Sequence, residues 1–462
     1  MDEKGFEALA VKDIITRANI NRGTFYLYYK DKFDLLDQTL SEVIQDIGAS
    51  GGIVFLNDGV RRFFIRTLGL DKREEGGYKV MGLRKVYVDH AATTALSTTA
   101  FQAMLPYFGD TFANPSAIHE YGVNAKAGVE RSRRMIAKAI GAKNNEIFFT
   151  SGGTESDNWA ILGAVAQRSS KGKHIITTSI EHNAVLKTAE ALEKQGYEVT
   201  YLPVDYYGRI TPEQLAEAIR EDTVLVSIMM ANNEIGTILP IKDLCQVARQ
   251  RNVLFHTDAV QAVGQVKIDV RDLNVDLLSM SAHKFQGPKG VGALFVKIGR
   301  ILPPLIHGGG QEKGSRAGTE NVPGIVGMAA ALEEAVATMA EKNRKVVAMR
   351  DRLIQGILKI PGSYLTGDPE NRLPGMASFA FAGMDKKPLV TTLSKAGILA
   401  SSASACTAGS INPSRILLAT GASESLAYGS LRISLNEHNS EEDMDYLLET
   451  IPSVISNMRN GD

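Results

Sequence analysis

From Val86 onward the chain alternates short apolar runs with segments whose apolar residues recur every three or four positions. The runs "EIFFT", "HIITTSI", "VLVSIMM", "VLFHTD", "VDLLSMSA" and "GVGALFV" read as strands buried on both faces. Amphipathic segments such as "TPEQLAEAIRE" and "IKDLCQVARQR" lie between several of them and read as helices. This alternation predicts a layered α/β fold with a large, mainly parallel sheet and functional loops at the carboxyl ends of its strands. A long helical stretch, "AALEEAVATMAEKNRKVVAMRDRLIQGIL", leads into a smaller α+β section. The chain before Val86 is patterned differently. Val11 to Leu40 reads as two short helices broken at Asn19–Asn21, the second capped by Asn21. Gly48 to Lys85 sustains no period of either kind. The expected organisation is therefore a helical segment over 1–46, an irregular linker over 47–84, a large domain over 92–340, and a small domain made of 85–91 and 341–462. There is no internal repeat and no low-complexity tract.

Composition narrows the class without naming a function. In 462 residues, 44% are hydrophobic and 22% charged, enough for a sizeable core, and a net charge of -1 gives no global pull toward nucleic acid or acidic membranes. Two cysteines cannot form a disulfide framework, which predicts a reducing, cytoplasmic setting. The N-terminus "MDEKGFEALA" does not read as a signal peptide, no run reads as a membrane span, and no membrane partner is expected.

The candidate chemistry sits at the ends of the predicted strands. Lys284, in "SMSAHKFQGPKG", closes one of them. It is either a lysine snorkelling to solvent or an amine made nucleophilic for Schiff-base chemistry. Asp258, in "HTDAVQAVG", closes another, with Gln261 one helical turn on. It reads either as a helix N-cap or as the buried carboxylate that keeps the ring nitrogen of pyridoxal phosphate protonated. "FFTSGGTESDN" places Gly153 and Thr154 at a strand–turn–helix junction that makes an anion cradle, and it lacks the lysine of a nucleotide-binding P-loop. One of the two cysteines, Cys406, lies in "SSASACTAGS" among Ser, Ala, Thr and Gly, which offer little packing around the sulfur. The other, Cys245, reads as a core residue.

Taken in order, "YVDHAATT", "FANPSAIHEYG", "TSGGTESDN", "SIEHNAVL", "ANNEIGT", "HTDAVQ", "SAHKFQGPKG", "HGGGQEKGSRAGTEN", "SSASACTAGS" and "LRISL" resemble the cysteine desulfurases of the NifS/IscS type over about four-fifths of the chain. The resemblance implies the fold of type I pyridoxal-phosphate transferases, with pyridoxal 5'-phosphate as cofactor and L-cysteine as substrate. It also implies a sulfur-acceptor protein, either an iron–sulfur scaffold or a tRNA-thiolation enzyme, and a homodimer. Carried onto matching positions, it makes Lys284 the cofactor's Schiff-base partner and proton carrier, and Asp258 the partner of the ring nitrogen. Asn233 and Gln261 fall on the ring-hydroxyl side, His182 stacks on the ring as an acid/base group, and Gly153, Thr154, Ser281 and His283 hold the phosphate. Thr319 reaches the phosphate of the partner subunit, Arg432 grips the substrate carboxylate with help from Asn114, and Cys406 takes the sulfur. No metal ligand is assigned.

Residues 1–46 resemble the DNA-binding segment of TetR-type repressors, with Arg22, Lys30 and Lys32 among Phe25, Tyr26, Tyr28 and Tyr29. Most of the bracing first helix is missing, and no ligand-binding domain of that family follows, so DNA binding by this piece is not expected. Met81 reads as the natural start of the enzyme, with the upstream part a fused or read-through remnant. The competing readings are a helix-turn-helix regulator with an aminotransferase-like sensor, which needs no nucleophilic cysteine, and a selenocysteine lyase or aminotransferase.

Overall fold

The computed structural model describes residues 71–72, 78–79, 84–384, 387–402 and 412–460. The helix-turn-helix segment and Cys406 therefore lie outside the described residues. The chain divides into two compact units, 1–84 and 85–462. In the first, β1 (Asp71–Lys72) and β2 (Tyr78–Lys79) pair antiparallel, a short ribbon where the sequence pattern predicts only irregular chain.

The second unit opens with β3 (Val86–Tyr87). Its large sheet takes β4 (Ile147–Thr150), β5 (His174–Thr178), β6 (Glu198–Leu202), β7 (Thr223–Ser227), β8 (Leu254–Asp258), β9 (Leu277–Ser281) and β10 (Gly292–Val296) in the spatial order β4-β10-β9-β8-β7-β5-β6. All neighbours run parallel except β10, which is antiparallel to both β4 and β9. Every residue of β5, β7, β8, β9 and β10 is buried, so helix-covered strands show as near-continuous apolar runs. Strand β6 escapes the sequence reading because it is the edge strand, only partly buried and mixed in character as "EVTYL".

Strands β11 (Ser363–Leu365), β12 (Met376–Phe381) and β14 (Ser430–Ser434) form a smaller antiparallel sheet, and β13 (Ile398–Leu399) pairs with β3. Val86 and Val88 pack into the hydrophobic core of this smaller part, beside Phe379, Phe381 and Ile433. The helix Val322–Ile357 joins the two parts. Ile325, Met328 and Leu332 enter the core of the large part, and Val346, Met349 and Leu353 enter the other. This helix also corrects an expectation. It contains an 18-residue window long and apolar enough to cross a membrane, and just over half of that window is buried inside the protein. Its apolar character is that of a helix packed into two cores.

Candidate active site

A cleft with about 1020 Å³ of empty volume lies at the carboxyl ends of the large sheet. The local reason is the strand order: β5, β7, β8 and β9 are parallel neighbours, so the chain leaves each of them on the same side. Asp258 is the last residue of β8 and Ser281 the last of β9. His283 and Lys284 follow on a single 3-10 turn, Ala282–Lys284. His182 caps the helix Asn183–Glu193 through Nδ1, which accepts from the Ala184 N–H at 3.2 Å. Gly153 opens the helix Gly153–Gln167, whose N-terminus has no side-chain cap. A Cβ on Gly153 would lie 2.7 Å from Val260 Cγ2, so close approach of the two loops requires glycine there.

Ten of the predicted residues line this cleft: Gly153, Thr154, His182, Asn233, Asp258, Gln261, Ser281, His283, Lys284 and Arg432. The Lys284 ammonium donates to the carbonyls of Ala91 and Ala92 at 2.6 and 2.8 Å. Gln261 Nε2 donates to Ala91 O at 2.8 Å, leaving its Oε1 buried without a partner. His283 shares a hydrogen bond with Thr93 Oγ1 at 3.1 Å, and burial holds its pKa down at about 4.

Two predicted residues are not brought into the cleft. Asn114 is exposed, and its Oδ1 accepts from the Ser116 N–H at 2.9 Å, closing a local turn. Thr319 lines a separate depression with Gly290, Glu312 and Arg316. That loop is pinned by Glu312, which the sequence reading passed over. Glu312 takes two hydrogen bonds from the Arg133 guanidinium at 2.7 and 2.8 Å and one from the Phe149 N–H at 3.0 Å. Cys245 is fully buried, its Sγ 3.2 Å from Asn274 O, and burial pushes its thiol up to about 11.

The electrostatics rest on carboxylates that sequence reasoning missed, although each lies inside a quoted motif. Asp157, from "TSGGTESDN", is wholly buried with Oδ1 unpartnered, and one polar atom each of Asp157, His182 and Asp258 lie within 4.8 Å of one another. Burial, and then the Asp258 charge, hold the Asp157 carboxyl well above the usual range. Its nearest basic group, His256 Nε2 at 3.6 Å, gives no relief: burial holds His256 down at about 3, and the ring bonds Ser227 Oγ and Ser279 Oγ at 2.8 and 3.0 Å. Asp258 is also raised by burial, but His182, the Val260 N–H and Lys284 pull it back toward the charged form. Burial lowers His182 in turn, so the ring is a neutral base near pH 7. Glu181 is pushed up to about 8 and Glu234 to about 7, both chiefly by burial.

Arg432 is also engaged within the chain. Its Nη2 donates to Asp89 Oδ1 at 2.7 Å and its Nη1 to Asn233 O at 2.9 Å, while Nε is buried without a partner.

The residues fit the cofactor that the resemblance implies. An uncapped helix end with Thr154, Ser281 and His283 suits a phosphate. A buried acid at the end of β8 suits a ring nitrogen, the lysine suits an aldehyde, and the orphaned Gln261 Oε1 lacks only a donor.

Comparison with known proteins gives the same direction. The family model "Aminotransferase class-V" matches residues 86–447, and the model for bacterial regulatory proteins of the tetR family matches residues 1–39. Cysteine desulfurase IscS of Methanosarcina thermophila is 52% identical over 377 residues, 82% of this chain and 93% of that protein. A solved NifS-like protein superposes with a TM-score of 0.76 at 39% identity, covering 80% of this chain and 99% of its own. The structure of SspA in complex with cysteine superposes with a TM-score of 0.68 at 39% identity, over 77% of this chain and 99% of its own.

Proposed function

The chain belongs to the aminotransferase class-V family and, within it, to the IscS/NifS cysteine desulfurases, and from that premise we propose which of its residues carry the reaction. The enzyme is pyridoxal-phosphate-dependent and acts on L-cysteine, passing sulfur to an acceptor protein. The observation that carries the assignment is the convergence of Lys284, Asp258, Gln261, His182 and Arg432 on one cleft, from separate stretches of chain.

Pyridoxal phosphate, when bound, supplies an electron sink for the substrate's α-carbon. Gly153, Thr154, Ser281 and His283 are the residues to hold its phosphate, Asp258 its ring nitrogen, and Gln261 and Asn233 its hydroxyl side. Arg432 takes the substrate carboxylate by charge-assisted hydrogen bonds. Lys284 and His182 move protons, for which a neutral imidazole beside the amine is suited. Cys406 is the sulfur acceptor: its Sγ attacks the substrate sulfur as the Cβ–S bond breaks, so cysteine and a thiol become alanine and a persulfide, with every atom accounted for. The chain's other cysteine, Cys245, is buried and its thiol is held protonated by burial.

The finer assignments follow from the same reading. The destination is an iron–sulfur scaffold, in keeping with the IscS and NifS names of the relatives. The enzyme works in the cytoplasm as a homodimer. Phe101, Leu105, Phe108, Phe112, Ile118 and Tyr121 leave a run of large apolar side chains exposed, which supports burial against a second copy. Thr319 belongs to the site of that partner. The regulator reading is not favoured: the tetR-family match is confined to residues 1–39, whereas relatives matching about four-fifths of the chain are cysteine desulfurases.

Labelled cysteine tests the roles. With Cys406→Ala the protein keeps its cofactor but forms no persulfide, whereas Cys245→Ala forms persulfide at the unaltered rate. Equal behaviour of the two variants refutes the assignment of Cys406.

A further inference from the structure

Arg432 is paired with a carboxylate of its own chain. The Arg432 side chain is 6% exposed and that of Asp89 17%, and the two are joined at 2.7 Å between Nη2 and Oδ1. A buried guanidinium without a counterion is costly, so Asp89 is a charge that lets Arg432 stay buried. The second oxygen of Asp89 is also engaged, accepting from Ser401 Oγ at 2.7 Å. Ser401 and Arg432 exchange backbone hydrogen bonds at 3.4 and 2.8 Å, so acid, serine and arginine form one closed unit. Glu234, which lines the cleft, also acts on Arg432, but burial pushes it up to about 7, which makes it the weaker counterion. Of the five N–H donors of a guanidinium, Asp89 and Asn233 O engage one each. The buried Nε–H and two others remain for a ligand.

We propose that Asp89 is a positioning residue that competes with ligands for Arg432: it fixes the guanidinium in place and shares its charge, so that carboxylate-bearing ligands bind only moderately. The proposal rests on the reading of Arg432 as the substrate-carboxylate contact. Cysteine and alanine both carry that carboxylate, so an undivided Arg432 charge tightens substrate and product alike. Uniform tightening does not speed the chemical step, and it slows the departure of alanine. Sharing the charge keeps the product exchangeable without loosening the arginine.

The test uses the cofactor-loaded protein and two amines, L-alanine and ethylamine, which is alanine without its carboxylate. Their dissociation constants are read from the absorbance of the bound cofactor. Asp89→Asn keeps an oxygen for Arg432 and removes the charge. It is expected to bind alanine about fivefold more tightly and to leave ethylamine unchanged within about twofold. Asp89→Ser carries the same expectation should the asparagine variant fail to fold. Ser401→Ala keeps the charge on Asp89 and is expected to leave the alanine-to-ethylamine ratio unaltered. Weaker alanine binding by the Asp89 variants, an equal change for both amines, or a Ser401→Ala effect as large as theirs overturns the proposal. Arg432→Gln is the separate control, expected to abolish the preference for alanine over ethylamine. If that preference survives, it is the role of Arg432 that fails, whatever Asp89 does.

Discussion

Replacing Asp157 by asparagine tests how the two buried acids of the cleft divide one negative charge. Polar atoms of Asp157 and Asp258 lie within 4.8 Å of each other, and both side chains are buried. At an effective dielectric of about 20, unit charges at that separation repel by about 3.5 kcal/mol, or about two and a half pK units. One acid must therefore hold a proton at neutral pH. The geometry gives it to Asp157, which has no cationic partner, while His182 and Lys284 favour the charge on Asp258. The carboxamide introduced by the substitution copies the shape and neutrality of a protonated acid. Asp157→Asn should then keep the cofactor, lose no more than about fivefold in kcat/KM, roughly one neutral hydrogen bond, and leave the apparent pKa of the bound chromophore in place. If Asp157 were the charged member, its loss would shift that pKa by about two units. The assay is a pH titration of the cofactor's visible absorbance beside steady-state alanine formation. A chromophore shift above about one unit, in a variant whose thermal melt is unaltered, refutes the division of charge.

The remaining predictions concern stability and boundaries. Glu181 has a folded pKa of about 8 against an unfolded value of about 4.3, so its folded state keeps a proton that the unfolded chain releases. The stability held by that proton is full below about pH 4.3 and is lost as pH rises to about 8, by up to about 5 kcal/mol. Glu181→Gln lacks this titration, so its urea midpoint should gain on the wild type between about pH 5 and pH 8, and parallel profiles would contradict this. Glu312→Gln leaves the Arg133 guanidinium, 5% exposed, with only the half-exposed Glu130 as counterion and should cost about 3 kcal/mol in urea unfolding. An Arg133→Met, Glu312→Leu double variant should recover part of that loss, and a cost below about 1 kcal/mol for the single variant argues against the pair as an anchor. A chain begun at Met81 should match the full chain in cofactor content and turnover, since the class-V match starts at residue 86 and every described cleft residue lies beyond it. Loss of either property would show that the first eighty residues are needed.

The sequence by itself determined the sheet and the ends of its strands. Doubly covered parallel strands must be apolar at nearly every position, so β5 and β7 to β10 are legible as runs, and Asp258, Ser281 and Lys284 are legible as polar residues that stop them. An edge strand half in solvent carries no such signature, and β6 was not legible for that reason. What only the tertiary structure decided is which charges meet. Asp89 lies 343 residues from Arg432, and Glu312 lies 179 from Arg133, so no local period connects either pair. Asp157 could be read as a polar residue of a helix, but its burial against Asp258 depends on how that helix packs on β8 and β9. Periodicity reports whether a residue faces the core, because burial is repeated along an element. A pairing between distant side chains occurs once, leaves no repeat in the chain, and is fixed only when the elements pack.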